Sequence, residues 1–284
     1  MSSQTGGYYL PAPSHWPIVG SIGIFFLALG AVLMMNDGGT TATVVLTTGA
    51  AIITYMMFGW FGTVIRESES GKYNEQVDVS YRWAMGWFIF SEVMFFACFF
   101  GALFYMRVLS LPWLAEADTQ ALLWPDFQNT WPISGPGLSE KFTPMGAWGI
   151  PAFNTFLLLS SGVTVTWAHW ALKKEKRAQL IWGLLATVLL GVVFLGFQVY
   201  EYAHAYKDLN LTLEQGAYGA TFYMLTGFHG FHVTIGTIML IVMLLRSIYG
   251  HFTPRNHFAF EAVSWYWHFV DVVWLGLFVV VYWL

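Results

Sequence analysis

The stretch TGFHGFH at residues 226–232 places two histidines near the middle of an apolar run that extends from about residue 218 to 246. A second stretch, WYWHFVD at 265–271, places a histidine and an aspartate in the same way within the run 258–283. About 20 mainly apolar residues are enough to cross a membrane as a helix. An ionised acid at the centre of a bilayer costs about 3 kcal/mol on insertion scales. Such groups normally face other helices, so the two stretches predict a packed bundle.

Five further apolar runs precede these two, at about residues 16–35, 41–65, 82–107, 148–172 and 180–203. Only 10% of the 284 residues are charged and 57% are hydrophobic, whereas about 25% of a soluble domain is charged. The sequence therefore predicts an all-α polytopic membrane protein with seven transmembrane helices. It contains no basic block, so we expect no nucleic-acid partner.

The seven runs predict a single integral membrane domain over residues 1–284. Its first two helices lie within 1–65, a charged loop follows at 66–81, and a five-helix bundle occupies 82–284. The longest connection, at 108–147, is predicted to be an outer loop. Its aromatic residues indicate that it folds onto the surface of the bundle: Trp113, Trp124, Phe127 and Trp131.

The basic residues predict the orientation, because cytoplasmic loops of membrane proteins are enriched in lysine and arginine. With seven spans, nine of the twelve basic residues fall on one side, which we expect to be cytoplasmic: Arg66, Lys72, Arg82, Lys173, Lys174, Lys176, Arg177, Arg246 and Arg255. The other three are Arg107, Lys141 and Lys207. The N-terminus is therefore predicted to be cytoplasmic and the C-terminus to lie outside.

Glu92 lies about ten residues into the third run, or about 15 Å below the membrane surface at 1.5 Å per residue. Apolar surroundings favour the neutral carboxylic acid over the carboxylate. Two interpretations stay open: a carboxyl that carries protons or faces lipid, and a protonated acid that is hydrogen-bonded to a neighbouring helix.

Two pairs of polar residues with a spacing of three occur in the last two runs, His229 with His232 and His268 with Asp271. Residues three apart share a face of a helix, so the pairs could meet if these two helices pack together. Imidazole is a common ligand of metals and haem. The chain has no HExxH or CxxC motif, and we favour hydrogen bonds between helices over a metal site.

Other residues in the runs suggest packing or surface roles. Three glycines are expected to let another helix approach the sixth run closely: Gly227, Gly230 and Gly236. Three polar residues at the ends of runs are expected to be interfacial and solvated: His169, Glu201 and His204. Arg246 and His251 could bind lipid phosphate or could simply follow the charge rule for cytoplasmic ends.

Several longer segments match those of one known family. They are VIRES at 64–68, SEVMFF at 91–96, LSSGVTVTWAH at 159–169, TGFHGFHV at 226–233, and FEA at 260–262 followed by WYWHFVDVVW at 265–274. Through these segments, which extend from the second run to the last, the chain resembles subunit III of the haem–copper cytochrome c oxidases.

This resemblance implies a non-catalytic subunit of an aa3-type oxidase that packs on subunit I and supports proton uptake and stability during oxygen reduction and proton pumping. It implies no catalytic residue, no metal and no redox centre in this chain. Haem a and copper would belong to partner subunits I and II, and cytochrome c would be only an indirect partner. The expected location is a bacterial inner membrane.

The resemblance also implies bound phospholipid in a cleft between the two-helix part and the five-helix part. Arg246 and His251 would meet the lipid phosphate, and Glu92 would line the cleft. The cytoplasmic rim would carry Trp60, Arg66 and Glu67.

Three other functions are alternatives to this one. A related quinol oxidase or nitric oxide reductase-type complex is the alternative assembly. A retinal pump requires a lysine in its last helix, and the run at 258–283 has none. A haem-bearing membrane cytochrome would use His229, His232 and His268, and a haem absorption band of the separated chain would identify it.

Overall fold

The computed structural model describes residues 9–36, 38–138 and 141–284, and all of the regular secondary structure in these ranges is helical. Within these ranges, seven helical segments are long and apolar enough to span a membrane. They begin with α1 (Trp16–Asn36), α2 (Gly39–Glu69) and α3 (Glu75–Phe104), which continues through a π-helical turn (Tyr105–Ser110) into α4 (Leu111–Leu114). The later spans are α6 (Ile150–Lys173), α7 (Arg177–Asp208), α8 (Gly216–Tyr249) and α9 (Phe258–Leu277), which ends in a π-helical segment (Phe278–Trp283). The predicted all-α fold with seven spans is confirmed.

The chain divides into two compact units, Met1–Tyr81 and Arg82–Leu284, of which residues 1–8, 37, 139 and 140 lie outside the described ranges. The charged segment at 66–81 is not the loop that was expected, since only residues 70–74 are non-helical. Hydropathy indicates which residues lie in the hydrocarbon of the membrane. A helix forms its own backbone hydrogen bonds, so it can continue beyond the hydrocarbon into water. The Asn74 side chain accepts a hydrogen bond from the Val77 amide at 3.0 Å and so caps the start of α3.

In the first unit, α1 and α2 form a closely packed hairpin. A Cβ atom placed on Gly30 would lie 2.6 Å from Cα of Leu46, and one placed on Gly23 would lie 2.7 Å from the Ile53 side chain. Small residues allow membrane helices to approach each other in this way. The glycines therefore fix the register of the hairpin.

In the second unit, the Trp267 side chain joins three helices to α9. It is fully buried, and its indole N–H donates to Ser161 Oγ on α6 at 2.8 Å. A Cβ on Gly191 of α7 would lie 3.0 Å from the indole ring, and a Cβ on Gly236 of α8 would lie 2.8 Å from it. Both glycines make room for the tryptophan, which explains why α7 and α8 can pack closely around it.

Only one of the three glycines expected to admit a helix on α8 does so. Gly236 faces Trp267, but a Cβ on Gly227 would make only an ordinary contact of 3.7 Å with the Tyr202 hydroxyl. A Cβ on Gly230 would have no described atom within 4 Å. The prediction was wrong for Gly230 because spacing alone does not tell which face of α8 meets another helix.

The long connection at 108–147 begins with the helical end of the third span and includes a short helix, α5 (Ala117–Leu123). Residues 139 and 140 of it lie outside the described part of the chain. The Ala217 amide donates to Ser134 O at 2.8 Å, and the ring of Phe142 stacks on Tyr218 at 5.4 Å. The expectation that this segment folds onto the bundle is confirmed, although Trp113 is 61% exposed.

The helix α3 presents an apolar surface, with Trp83, Trp87 and Phe90 exposed along it. The only cysteine of the chain, Cys98, is also exposed on this helix. Exposed aromatic side chains on a membrane helix are suited to contact with acyl chains or with another subunit.

Candidate functional site

The partly buried acid of α3, Glu92, is paired with a histidine of α8. Glu92 Oε2 lies 2.8 Å from His232 Nε2, and His232 is only 7% exposed. The rings of Phe95 and Phe96 pack against the imidazole, with centroid distances of 5.9 and 5.0 Å. The sequence did not reveal this pairing, because the two residues are 140 positions apart and no local pattern connects them.

The hydrogen bonds of His232 limit the protonation states of this pair. His232 Nδ1 lies 2.6 Å from Phe228 O, and since a carbonyl can only accept, Nδ1 carries a hydrogen. Nε2 then either accepts from a neutral Glu92 acid or donates to a Glu92 carboxylate as part of an imidazolium. In both cases the pair shares one proton and has no net charge.

His229 has a different environment from His232. Its Nε2 donates to the backbone carbonyl of Val270 at 3.1 Å, and the side chain is 1% exposed. The rings of Phe194 and Trp274 lie 5.9 and 5.0 Å from it. His229 therefore joins α8 to α9 and is not part of the Glu92 pair.

The second predicted pair faces α6. His268 Nδ1 lies 3.4 Å from Asp271 Oδ2, and His268 Nε2 lies 3.1 Å from Thr166 Oγ1. A Cβ on Gly162 would overlap the Asp271 carboxylate, so the glycine is what allows this acid to lie against α6. The four polar residues of α8 and α9 thus belong to three separate groups of contacts and do not converge on one point.

Of the two polar residues at the C-terminal end of α7, one differs from the expectation. Glu201 is fully buried, and its Oε1 accepts a hydrogen bond from the Tyr282 hydroxyl at 2.6 Å. The expectation of a solvated acid was wrong because the π-helical end of α9 covers this position. His204 is solvated as expected, and its Nδ1 lies 2.6 Å from Asp208 Oδ2.

Two of the predicted lipid-binding residues lie at the end of α8. Arg246 is 8% exposed, and its guanidinium lies over the Phe252 ring at 4.6 Å. The His251 amide donates to Arg246 O at 3.0 Å, just after Gly250, which ends the helix with φ of 79°. This helix end therefore holds Arg246 beside an aromatic ring and exposes little of it.

The other predicted lipid-binding residues lie on α2 in the first unit. Trp60 is 45% exposed, and Arg66 is exposed and donates to Thr63 Oγ1 at 3.1 Å. Glu67 Oε2 accepts a hydrogen bond from the Tyr73 hydroxyl at 2.9 Å. Burial, followed by hydrogen bonds to Tyr81 and Glu67, raises the pKa of Tyr73 far above its usual value, so it remains a donor.

One further cluster lies where α6 ends and α9 begins. One ligand atom from each of His169, His257 and Glu261 lies within 4.8 Å of the others. Glu261 Oε2 also pairs with Arg82 Nη1 at 2.6 Å. His257 and Glu261 are four residues apart, a spacing that places two side chains on the same face of a helix. The sequence could therefore have indicated that these two residues lie close together.

Comparison with known proteins gives a consistent result over the whole chain. The family model of cytochrome c oxidase subunit III matches residues 6–284. Cytochrome c oxidase subunit 3 of Marchantia polymorpha is 44% identical over 99% of this chain and 97% of its own length. The subunit 3 of Triticum aestivum is 43% identical over 100% and 98%, and that of Papio hamadryas is 39% identical over 100% and 99%.

Proposed function

The chain belongs to the cytochrome c oxidase subunit III family, and we propose that it is a non-catalytic subunit of an aa3-type oxidase, with no redox centre of its own. It packs on subunit I beside subunit II, and electrons from cytochrome c reach oxygen through haem a and copper in those partners. Its own contribution is to sustain proton uptake and the stability of the complex during turnover.

The observation that carries this proposal is the hydrogen bonding of the imidazoles within the spans. A haem ligand must offer a ring nitrogen to the iron. Both nitrogens of His232 lie within hydrogen-bond distance of protein oxygens, and His268 lies close to Thr166 and Asp271. His229 uses Nε2 on the Val270 carbonyl, and its Nδ1 is buried with no hydrogen-bond partner among the described residues. These contacts support a structural role for the three histidines.

The test is the absorption spectrum of the full chain after separation from its complex in mild detergent. We expect the haem Soret band to remain entirely with the partner subunits. A Soret band that stays with this chain, and is lost in His229→Ala or His268→Ala, would overturn the proposal. A matched His204→Ala variant, altered at an exposed histidine, controls for adventitious haem.

Phospholipid is the second part of the proposal. The first unit offers Arg66 as an exposed cation, with the amphipathic Trp60 and the carboxylate of Glu67 on the same helix, a combination suited to a headgroup. The second unit offers Arg246 and His251, while Glu92 on α3 is partly exposed between apolar side chains. Arg246 is the most buried of these cations, so a lipid held there would exchange slowly.

The location and orientation belong to the same proposal. Nine of the twelve basic residues would lie on the cytoplasmic side. In the second unit, Arg82, Arg177 and Arg246 lie at helix ends that come together, since Arg177 donates to Ile248 O and Arg82 pairs with Glu261. The relatives come from plants and animals and give no support for a bacterial membrane, which stays a prediction.

A further inference from the structure

The cluster at the junction of α6 and α9 brings together three side chains that can each bind a metal. His169 lies one turn before the end of α6, His257 immediately precedes α9, and Glu261 lies in the first turn of α9. The Glu261 amide donates to His257 O at 3.1 Å, so the backbone itself holds these two residues one turn apart. One nitrogen from each imidazole and one carboxylate oxygen lie within 4.8 Å of one another.

Within the described ranges, the two imidazoles have buried nitrogen atoms with no hydrogen-bond partner. These atoms are Nε2 of His169 and Nδ1 of His257, and the His257 residue is only 9% exposed. His257 precedes α9 but makes no capping hydrogen bond with its side chain. Buried polar atoms nearly always have a partner. Two neighbouring imidazoles without one indicate that a ligand completes the cluster.

The surroundings prepare the carboxylate to act as a third ligand. Arg82 Nη1 lies 2.6 Å from Glu261 Oε2, while the guanidinium lies 5.3 Å from the Phe258 ring centre. Partners of this kind orient metal ligands. Lys173 is the other cation near His169, and two cations beside the cluster weaken its affinity for any metal ion.

We propose that His169, His257 and Glu261 form a binding site for a divalent metal ion of the zinc class. Two neutral imidazoles and one carboxylate are ligands that zinc accepts, and three protein ligands leave a fourth position open to water. Ligands around tetrahedral zinc are separated by about 3.3 Å, as follows from bond lengths near 2 Å. The three groups must therefore close by at most about 1.5 Å, which side-chain rotation can supply. This inference departs from the expectation that the chain holds no metal, and it does not depend on the proposed function.

The experiment is a Zn²⁺ titration of the full chain in detergent, in competition with a chromogenic chelator, repeated with Co²⁺ to record its d–d absorption bands. We expect one high-affinity Zn²⁺ per chain, half-saturated below about 10 μM. His169→Gln, His257→Gln and Glu261→Gln should each weaken binding by roughly tenfold or more, because even indirect partners of a metal contribute that much. Circular dichroism checks that each variant keeps its helices.

His204→Gln is the matched control, since it removes a histidine that is paired with an acid elsewhere on the chain. It should bind Zn²⁺ like the unmodified chain. His257→Gln leaves the Arg82–Glu261 pair in place, so a loss of binding in this variant cannot come from breaking that pair. The proposal is overturned if the chain takes up no Zn²⁺ at 1:1 stoichiometry, or if the His204 variant loses as much affinity as the His257 variant.

Discussion

At the scale of single residues, the histidines and the acid of the spans that the sequence singled out each have at least one partner. Glu92 and His232 satisfy each other across two helices, His229 binds a backbone carbonyl, and His268 reaches Thr166. Hydrocarbon offers no water to these groups, and a polar group without a hydrogen bond there costs free energy. Each contact supplies the hydrogen bond that water would otherwise make. A purely structural role explains this arrangement, and a Glu92 carboxyl that carries protons stays the other interpretation.

Glu92→Ala is expected to destabilise the chain, because it leaves His232 Nε2 buried without a partner at a cost of about 1–3 kcal/mol. Glu92→Gln is the matched control, since its amide can donate to the same nitrogen and keeps the shape of the side chain. Thermal unfolding in detergent measures both. Equal loss of stability in the two variants would show that the hydrogen bond contributes nothing.

Arg246→Ala is expected to lower the amount of phospholipid that stays with the purified chain, since a guanidinium offers a planar set of donors to phosphate. Arg255→Ala is the control, because Arg255 is exposed and is predicted to lie on the same side of the membrane. Native mass spectrometry counts the lipids retained. Unchanged retention in the Arg246 variant would remove this residue from the proposed lipid site.

The sequence allowed the polar residues of the spans to be found but not their partners. Charge and apolar context single out Glu92 and His232 individually. Their contact depends on which faces of α3 and α8 meet, which is set by packing across 140 positions of sequence. His257 and Glu261 could have been paired from their spacing, but not with His169 on another helix.

At the scale of helices, close packing in the second unit depends on where glycines meet large rings. Gly191 and Gly236 border Trp267, which also binds Ser161 on α6. Membrane helices gain little from the hydrophobic effect when they associate, so shape fit and hydrogen bonds carry the association. The tryptophan provides both.

Gly236→Ala is expected to destabilise the bundle relative to Gly230→Ala by about 1–3 kcal/mol, because the added methyl would lie 2.8 Å from the Trp267 ring. The two substitutions change helix propensity equally, and Gly230 faces open space. Chemical or thermal unfolding of both variants gives the difference. The same stability in the two would mean that the ring simply moves aside.

The number and order of the helices followed from the sequence, since the thickness of the bilayer fixes the length of each apolar run. The helix ends did not follow. Residues up to Glu69 in α2 and from Glu75 in α3 are helical although they are charged or polar. Likewise, the sequence did not show that the end of α9 would cover Glu201, because that depends on a π-helical segment.

At the scale of the whole molecule, charge sets the predicted direction of insertion. Seven spans place the two ends of the chain on opposite faces, and the cluster of basic residues from Lys173 to Arg177 lies between α6 and α7. The positive-inside rule then assigns this connection to the cytoplasm.

Single cysteines introduced into a Cys98→Ser background test this direction. A Lys207→Cys variant should react with a membrane-impermeant maleimide in intact right-side-out vesicles. A Lys174→Cys variant should react only after the vesicles are opened, because its connection is predicted to be internal. The reverse pattern would invert the proposed topology.

The solitary thiol of α3 gives the unaltered protein a built-in reporter. A lipophilic spin label or fluorophore would attach at one known depth in the third span, with no engineering of the sequence. Its mobility, compared between the separated chain and the intact oxidase, would tell whether acyl chains or a neighbouring polypeptide touch that flank of the subunit.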